Sequence, residues 1–221
     1  IEAARQCGVS VVVIRRPVHE EGISLEEAKR QMYAYQTARP PEKSVTDGTG
    51  RRFLSMIGMG MGGAKQLTLE ACEVLERSDV VFGASRMLAD LAPWIREKHQ
   101  ETYYQPEKIL DWLEKNRACQ HAVVVCSGDT GFYSGSGSLM RELKARFGEV
   151  ESSPYEVTVY PGISSVSALA ARFGISWDDA CLASAHGRDC DAAALLKEHE
   201  KVFLLLDSSM NLRQICRILK D

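Results

Sequence analysis

A short apolar run that stops at a glycine-rich turn and leads into a helical pattern occurs three times in this 221-residue chain. The apolar runs cover residues 53–57, 122–126 and 157–160, and the turns cover 58–63, 128–131 and 161–162. Strands that alternate with helices are typical of a parallel α/β sheet. Because the carboxyl ends of parallel strands meet at one edge, we expect the three turns to converge there and form a small-molecule site.

The composition excludes several function classes. With 45% hydrophobic residues the chain can bury a real core, and its net charge of −3 creates no global field for nucleic acid or anionic membrane. No apolar run approaches the roughly 18 residues of a membrane helix. We therefore expect no nucleic-acid and no membrane partner. The start at Ile1 and the lack of a closing strand before Asp221 suggest a piece of a longer protein.

The cysteines indicate a reducing compartment. There are seven, an odd number, and no Cys-x-x-Cys pattern occurs. Reduced and mostly packed thiols are the natural interpretation, which predicts a cytoplasmic protein without a structural metal site.

The chain divides into four segments. Residues 1–37 read as one β–α fragment, too short to hold a core alone. Residues 38–52 have the Pro-, Gly- and Ser-rich composition of a linker. The α/β pattern restarts over 53–175 and repeats more weakly over 176–221.

Local signals set the expected element boundaries. Thr68 and Ser164 are predicted helix N-caps, Pro106 a first helical residue, and Gly174 a left-handed helix end. The patterns also predict a strand at 79–83, a helix at 138–147, strands at 181–184 and 202–206, and a helix at 208–219.

Asp129 is the charged residue of the second turn and has two interpretations. It is either a turn acid that bonds its own backbone, which Asp commonly does, or a carboxylate that receives a ligand's ammonium or hydroxyl group. The convergence of the turns favours the second. For Ser164 and Ser165, which begin a helix, capping and ligand contact are compatible.

Two further groups have open interpretations. His186 and Arg188 follow a strand and are either surface residues or a site for a carboxylated substrate, since Arg binds carboxylates through two hydrogen bonds. Tyr103 and Tyr104 form either an ordinary loop or a wall for a flat ligand. A nicotinamide site in the first turn is disfavoured, because the second strand ends in Gly83-Ala84-Ser85-Arg86 without the expected acid.

Together the motifs resemble the tetrapyrrole methylase family. The similar segments are Gly58–Thr68, Ser127-Gly128-Asp129 with Phe132-Tyr133, and Pro161–Ser165. Within the family, Ser184–Arg188 and Val202–Asp207 resemble the branch that methylates carbon 5 of cobalt-precorrin-7, also called precorrin-6Y. Residues 1–37 resemble the tail of a precorrin-6A reductase. One departure is visible: the family's Gly-Pro-Gly-Asp stands here as Gly60-Met61-Gly62-Gly63.

The resemblance implies a two-domain α/β fold that binds S-adenosylmethionine in the interdomain cleft. Domains would cover 53–175 and 176–221. By motif correspondence the cofactor contacts would be Gly60, Met61, Ser127, Gly128, Asp129, Phe132, Ser164, Ser165 and Leu205. The tetrapyrrole substrate would lie against His186 and Arg188.

The implied reaction is methyl transfer to carbon 5 of the precorrin in cobalamin biosynthesis. Asp129, His186 and Tyr133 are the candidate acid–base residues. The resemblance also implies a homodimer, and a separate partner for methylation and decarboxylation at carbon 15. The alternatives are another acceptor on the same fold, an NADPH-dependent precorrin-6A reductase activity, and a non-catalytic binding module.

Overall fold

The structure is a computed structural model that describes residues 51–62, 64–185 and 190–206. The chain forms two compact units, residues 1–45 and 46–221, and all described residues belong to the second. Several predictions lie outside the described residues: the fragment 1–37, nearly all of the linker, Gly63, His186, Arg188 and the helix at 208–219.

Seven strands form two parallel sheets in the described part of the chain. They are β1 (Arg52–Gly58), β2 (Val80–Phe82), β3 (His99–Glu101), β4 (His121–Cys126), β5 (Tyr155–Tyr160), β6 (Cys181–Ser184) and β7 (Val202–Leu205). The first five make one sheet in the order β3-β2-β4-β1-β5, and β6 pairs with β7. Met56 of β1 is in register with Val124 of β4 and Val159 of β5. The α/β class expected from the sequence is confirmed.

Seven α-helices connect these strands within the same residues. They are α1 (Leu69–Arg77), α2 (Ser85–Asp90), α3 (Ala92–Ile95), α4 (Pro106–Lys115), α5 (Ser136–Phe147), α6 (Ser165–Phe173) and α7 (Ala192–Glu198). Short 3-10 helices cover Ala64–Gln66 and Val150–Ser152. No helix in this part of the chain is long and apolar enough to cross a membrane.

The five-stranded sheet is covered on both faces, as parallel sheets require. Side chains alternate along β1, so Met56 packs with α4 and α5 while Ile57 packs with α1, α2 and α3. Both residues are fully buried. The rigid sheet therefore fixes where its carboxyl edge and the attached turns lie.

Local capping chemistry positions the helices as the sequence predicts. Thr68 Oγ1 accepts a hydrogen bond from Ala71 N at 3.1 Å at the start of α1. Ser164 caps α6 in the same way, and Gly174 ends it with φ 63°. Pro106 is the first residue of α4.

Besides the two 3-10 helices, three α-helices and one strand were not predicted from the sequence. Helices α2, α3 and α7, with six, four and seven residues, are too short for a clear periodic pattern. Strand β3 is polar and lies at the edge of the sheet, where it is held by pairing of His99 with Val80 and Glu101 with Phe82. Pairing with a buried neighbour overrides its weak intrinsic preference for extended structure. Smaller differences are a start two residues earlier for α5 and a shorter β2.

Candidate functional site

The first two glycine-rich turns are joined by a pair of backbone hydrogen bonds. Gly60 N donates to the Gly128 carbonyl at 3.1 Å, and Gly128 N donates to the Gly60 carbonyl at 2.8 Å. Strands β1 and β4 are neighbours in the sheet, so their carboxyl ends deliver the two turns to the same place. The convergence expected from the sequence is confirmed for these turns.

The third turn packs against the first through bare backbone. A Cβ atom on Gly58 would lie 2.6 Å from Gly162 N, and one on Gly162 would lie 2.7 Å from the carbonyl carbon of Gly58. Real Cβ atoms do not approach backbone this closely, so glycine is required sterically at both positions. The three turns thus form one continuous backbone surface.

Asp129 fastens the second turn to the third. Its Oδ1 accepts a hydrogen bond from Gly131 N at 2.7 Å, which is the local turn contact that the sequence allowed. Its Oδ2 accepts a second bond from Gly162 N at 3.0 Å, 33 residues away in the chain. An ionised carboxylate has about four lone-pair sites, so Asp129 keeps acceptor capacity for a ligand.

A second contact between the same turns comes from a hydroxyl group. Thr130 Oγ1 donates to the carbonyl of Tyr160, at the end of β5, at 3.2 Å.

The backbone is strained at Tyr133, three residues after Thr130, where the φ of 48° is unusual for a residue with a side chain. The Tyr133 ring meets Phe132 edge-on, with 4.8 Å between ring centroids.

The first turn is ordered by a side chain from the following 3-10 helix. Gln66 Oε1 accepts a hydrogen bond from Met61 N at 2.6 Å. Gly60 and Gly62, on either side of Met61, have φ of 70° and 104°. These left-handed conformations favour glycine, and they leave the Met61 side chain 54% exposed.

A cavity of about 540 Å³ opens beside these turns. That volume suits a ligand of cofactor size. Its walls come from the turn after β1, the segment after β2 with α2, the end of β4 and the turn that follows it, residues of α4 and α5, the start of α6 and the end of β7. The lining residues are Met61, Ala84, Arg86, Met87, Tyr104, Ile109, Val124–Asp129, Phe132–Gly135, Leu139, Ser165, Leu205 and Leu206.

Most sequence-predicted site residues that the structure describes lie on this cavity. The set comprises Met61, Ser127, Gly128, Asp129, Phe132, Tyr133, Ser165 and Leu205. Gly60 and Ser164 are not lining residues. Gly60 instead pairs with Gly128, and Ser164 Oγ accepts from Ser167 N at 3.1 Å as a helix cap.

Sequence reasoning gave no role to Arg86, which lines the cavity. Tyr104 also lines it, which favours the ligand-wall interpretation, whereas Tyr103 packs against Phe82 in the core. The sequence did offer one signal for Arg86. It lies shortly after the second strand, where a dinucleotide-binding fold carries an acidic residue that contacts the ligand.

Cys126 lies at the floor of the cavity with 5% of its surface exposed. Burial raises the pKa of its thiol from 9.0 to about 11, although a Ser134 hydrogen bond opposes the shift. The thiol is therefore protonated at neutral pH and is a poor nucleophile. Among the described residues, no three His, Cys, Asp or Glu side chains come together to hold a metal ion.

Comparison with known proteins identifies the sequence pattern. Residues 54–221 match the family profile of the tetrapyrrole (corrin/porphyrin) methylases. A cobalt-precorrin-7 C(5)-methyltransferase of Salmonella typhimurium is 34% identical over 165 residues, which are 75% of this chain and 76% of that protein. A probable enzyme of the same name from Methanocaldococcus jannaschii is 30% identical over 158 residues, 69% and 71% of the two chains.

The fold is also similar to solved structures. The crystal structure of a precorrin-6Y methylase from Archaeoglobus fulgidus superimposes with a TM-score of 0.54 and 25% identity, over 74% of this chain and 78% of that one.

Proposed function

The chain belongs to the tetrapyrrole methylase family, and we propose that it transfers a methyl group from S-adenosylmethionine to carbon 5 of a precorrin in cobalamin biosynthesis. The acceptor we propose is cobalt-precorrin-7 (precorrin-6Y), after the names of the relatives. The observation that carries the proposal is the joining of three glycine turns beside a cavity of about 540 Å³, which residues of the first two turns and the start of α6 line.

The cavity has the properties that S-adenosylmethionine needs. Turns with glycines let backbone N–H and C=O groups approach a ligand closely, and Asp129 offers acceptor capacity for an ammonium or hydroxyl group. We propose that Met61, Ser127, Gly128, Asp129, Phe132, Ser165 and Leu205 hold the cofactor, while Gly60 and Ser164 shape the turns around it. The separate five- and two-stranded sheets support the domain division at 175/176.

The protein's part in the reaction is positioning. When bound, S-adenosylmethionine supplies an activated methyl group, so the chain needs no nucleophile of its own. Correct orientation of two reactants is worth about 7–11 kcal/mol of barrier. The rigid turns and the apolar floor formed by Val124, Val125 and Cys126 provide orientation and exclude water.

Proton transfer from the acceptor carbon requires a basic group on the cavity wall. Asp129 and Tyr133 lie there, and we propose them as the candidates among the described residues. His186, the third candidate from the sequence, and Arg188, the proposed substrate contact, lie outside the described residues.

We propose a homodimer that works in the cytoplasm beside a separate carbon-15 enzyme. Exposed apolar side chains on α6 and the following loop support a second copy as partner. Leu169 is 45%, Phe173 70% and Trp177 41% exposed. The five described cysteines are all free, in keeping with a reducing compartment. Light scattering of wild type against Phe173→Glu tests the dimer, which the substitution should dissociate.

Two measurements on the full chain test the proposed function. Calorimetry should detect S-adenosylmethionine binding, and incubation with cobalt-precorrin-7 should give a product heavier by one methylene unit. If the protein binds S-adenosylmethionine but methylates another tetrapyrrole instead of cobalt-precorrin-7, the proposed substrate is wrong. Binding of NADPH and not of S-adenosylmethionine would replace the proposal by the reductase alternative.

A further inference from the structure

Arg86 is the cation on the wall of the cavity. It is the second residue of α2, four residues after the end of β2. Among the described lining residues, the charged side chains are Arg86 and Asp129. The site therefore presents one positive and one negative group to whatever it binds.

The two charges differ in how they are satisfied. Both carboxylate oxygens of Asp129 accept backbone hydrogen bonds. Some arginines outside the cavity are engaged as well: Arg52 donates to the Leu113 carbonyl, and Arg146 pairs with Asp111. The exposed Arg86 guanidinium makes no hydrogen bond or ion pair with another described residue. Its five N–H donors are thus available to a ligand.

Arg86 and the proposed cofactor wall are attached to different strands of the sheet. That wall comes from β1, β4, α6 and β7, whereas Arg86 follows β2, on the other side of β4 from β1. Its cavity neighbours from the β2–β3 side are Ala84, Met87 and Tyr104. A mostly apolar wall with one cation suits a flat macrocycle that carries acidic side chains.

We propose that Arg86 binds a carboxylate of the methyl acceptor and so sets its place in the cavity. This inference rests on the proposed function. A guanidinium matches a carboxylate through two parallel hydrogen bonds, which orient as well as attract. The chain's net charge of −3 offers no overall attraction to a polyanionic tetrapyrrole, so a local cation would aid its capture. The carboxylate of the cofactor is the other source of the same chemistry.

The test compares Arg86→Gln and Arg86→Lys with Arg117→Gln. Arg117 is an exposed arginine in the loop before β4. It lies at the amino-terminal ends of the strands, whereas the cavity lies at their carboxyl ends, so its variant makes the same charge change away from the cavity. Far-UV circular dichroism and urea unfolding establish that all variants fold. The readouts are the Kd of S-adenosylhomocysteine by calorimetry and KM and kcat for cobalt-precorrin-7.

We expect Arg86→Gln to raise the KM for the acceptor roughly 10- to 100-fold, the range for losing a charge-assisted contact. The Kd of the cofactor product should stay within about twofold of wild type, as should all values for Arg117→Gln. Arg86→Lys should recover part of the loss, because it keeps the charge but not the paired geometry. An unchanged acceptor KM would overturn the proposal, and a weaker cofactor Kd alone would assign Arg86 to the cofactor.

A readout without turnover separates this proposal from the proposed function. Uroporphyrin III is a stable porphyrin with acidic side chains, and its fluorescence reports binding directly. Wild type and Arg117→Gln should bind it more tightly than Arg86→Gln, and the difference should shrink in high salt. Equal affinities would refute the role of Arg86 even if methyl transfer is active, whereas a difference would support it even if cobalt-precorrin-7 is not methylated.

Discussion

The carboxylate of Asp129 accepts a hydrogen bond from the backbone N–H of Gly162, with 3.0 Å between Oδ2 and N. The bond joins the turn after β4 to the turn after β5. Replacing Asp129 by Ala leaves this N–H and that of Gly131 without their partner. Hydrogen bonds to charged groups are worth about 1.5–3 kcal/mol, so we expect Asp129→Ala to lower the free energy of unfolding by about 1–3 kcal/mol in a urea titration.

Asp129→Asn is the matched variant. It keeps the shape and one acceptor oxygen but loses the charge, so its loss of stability should be smaller. Both variants should weaken cofactor binding in calorimetry. Wild-type affinity in Asp129→Asn would contradict a charge-dependent cofactor contact and leave Asp129 with its structural role.

Gly162 should not tolerate a methyl group. A Cβ there would meet the backbone of Gly58 at 2.7 Å, and backbone cannot move aside as a flexible side chain can. We expect Gly162→Ala to lower the free energy of unfolding by about 1–3 kcal/mol and to reduce cofactor affinity by separating the turns.

Gly135→Ala provides the control. A Cβ on Gly135 meets nothing within 4 Å, and its φ of −71° suits any residue. Its stability should change by less than about 0.5 kcal/mol. Similar losses in both variants would mean that the close packing of the turns does not limit stability.

Gln66 should act on ligand affinity through the first turn. Gln66→Met keeps the length of the side chain but removes the acceptor for Met61 N. A typical hydrogen bond contributes about 0.5–1.5 kcal/mol, so cofactor affinity should fall about two- to tenfold by calorimetry. Gln66→Glu keeps an acceptor and should fall less, and the reverse order would exclude this contact as the cause.

Tyr133→Phe tests proton transfer. The substitution removes only the hydroxyl group, so the strained backbone at φ 48° is retained. If Tyr133 moves the proton, kcat should fall about 10²-fold or more while the cofactor Kd stays constant. An unchanged kcat and pH profile would remove Tyr133 from the candidates and leave Asp129 and His186.

Stability should decline in alkaline solution. Burial raises the pKa of Cys119 and of Cys126 from 9.0 to about 11. Between pH 9 and about 11 the two thiols are ionised in the unfolded chain but still protonated in the folded chain. The free energy of unfolding therefore falls as the pH rises through this range. The stabilisation is complete below pH 9 and lost above about 11.

Urea titrations at pH 8 and 10 measure this decline, and thiolate absorbance assigns it to cysteine. The pKa of Tyr103 is raised to about 12, mainly by burial, so ionisation of Tyr103 should follow at higher pH. A Cys119→Ala, Cys126→Ala double variant should be less stable but should lose most of the slope between pH 8 and 10. A retained slope would assign the effect to other groups.

Patterns along the chain were sufficient for the α/β class, most strands and several helix ends. The signals at Thr68, Pro106 and Gly174 depend on neighbours within a few residues, where capping and backbone conformation are decided. The glycines at 58 and 162 could likewise be placed at strand ends, although the contact between them could not.

Strand order and the walls of the cavity are properties of the tertiary structure alone. The order β3-β2-β4-β1-β5 places β2 beside β4 and not beside β1, its predecessor in the chain. That order follows from burial of both faces of the sheet and from crossover connections over long distances, which local patterns do not encode. It brings Arg86 and Tyr104 to the cavity and gives Asp129 its second partner, 33 residues away. The sequence determined that glycine-rich turns would follow the strands; packing decided which side chains surround the cavity.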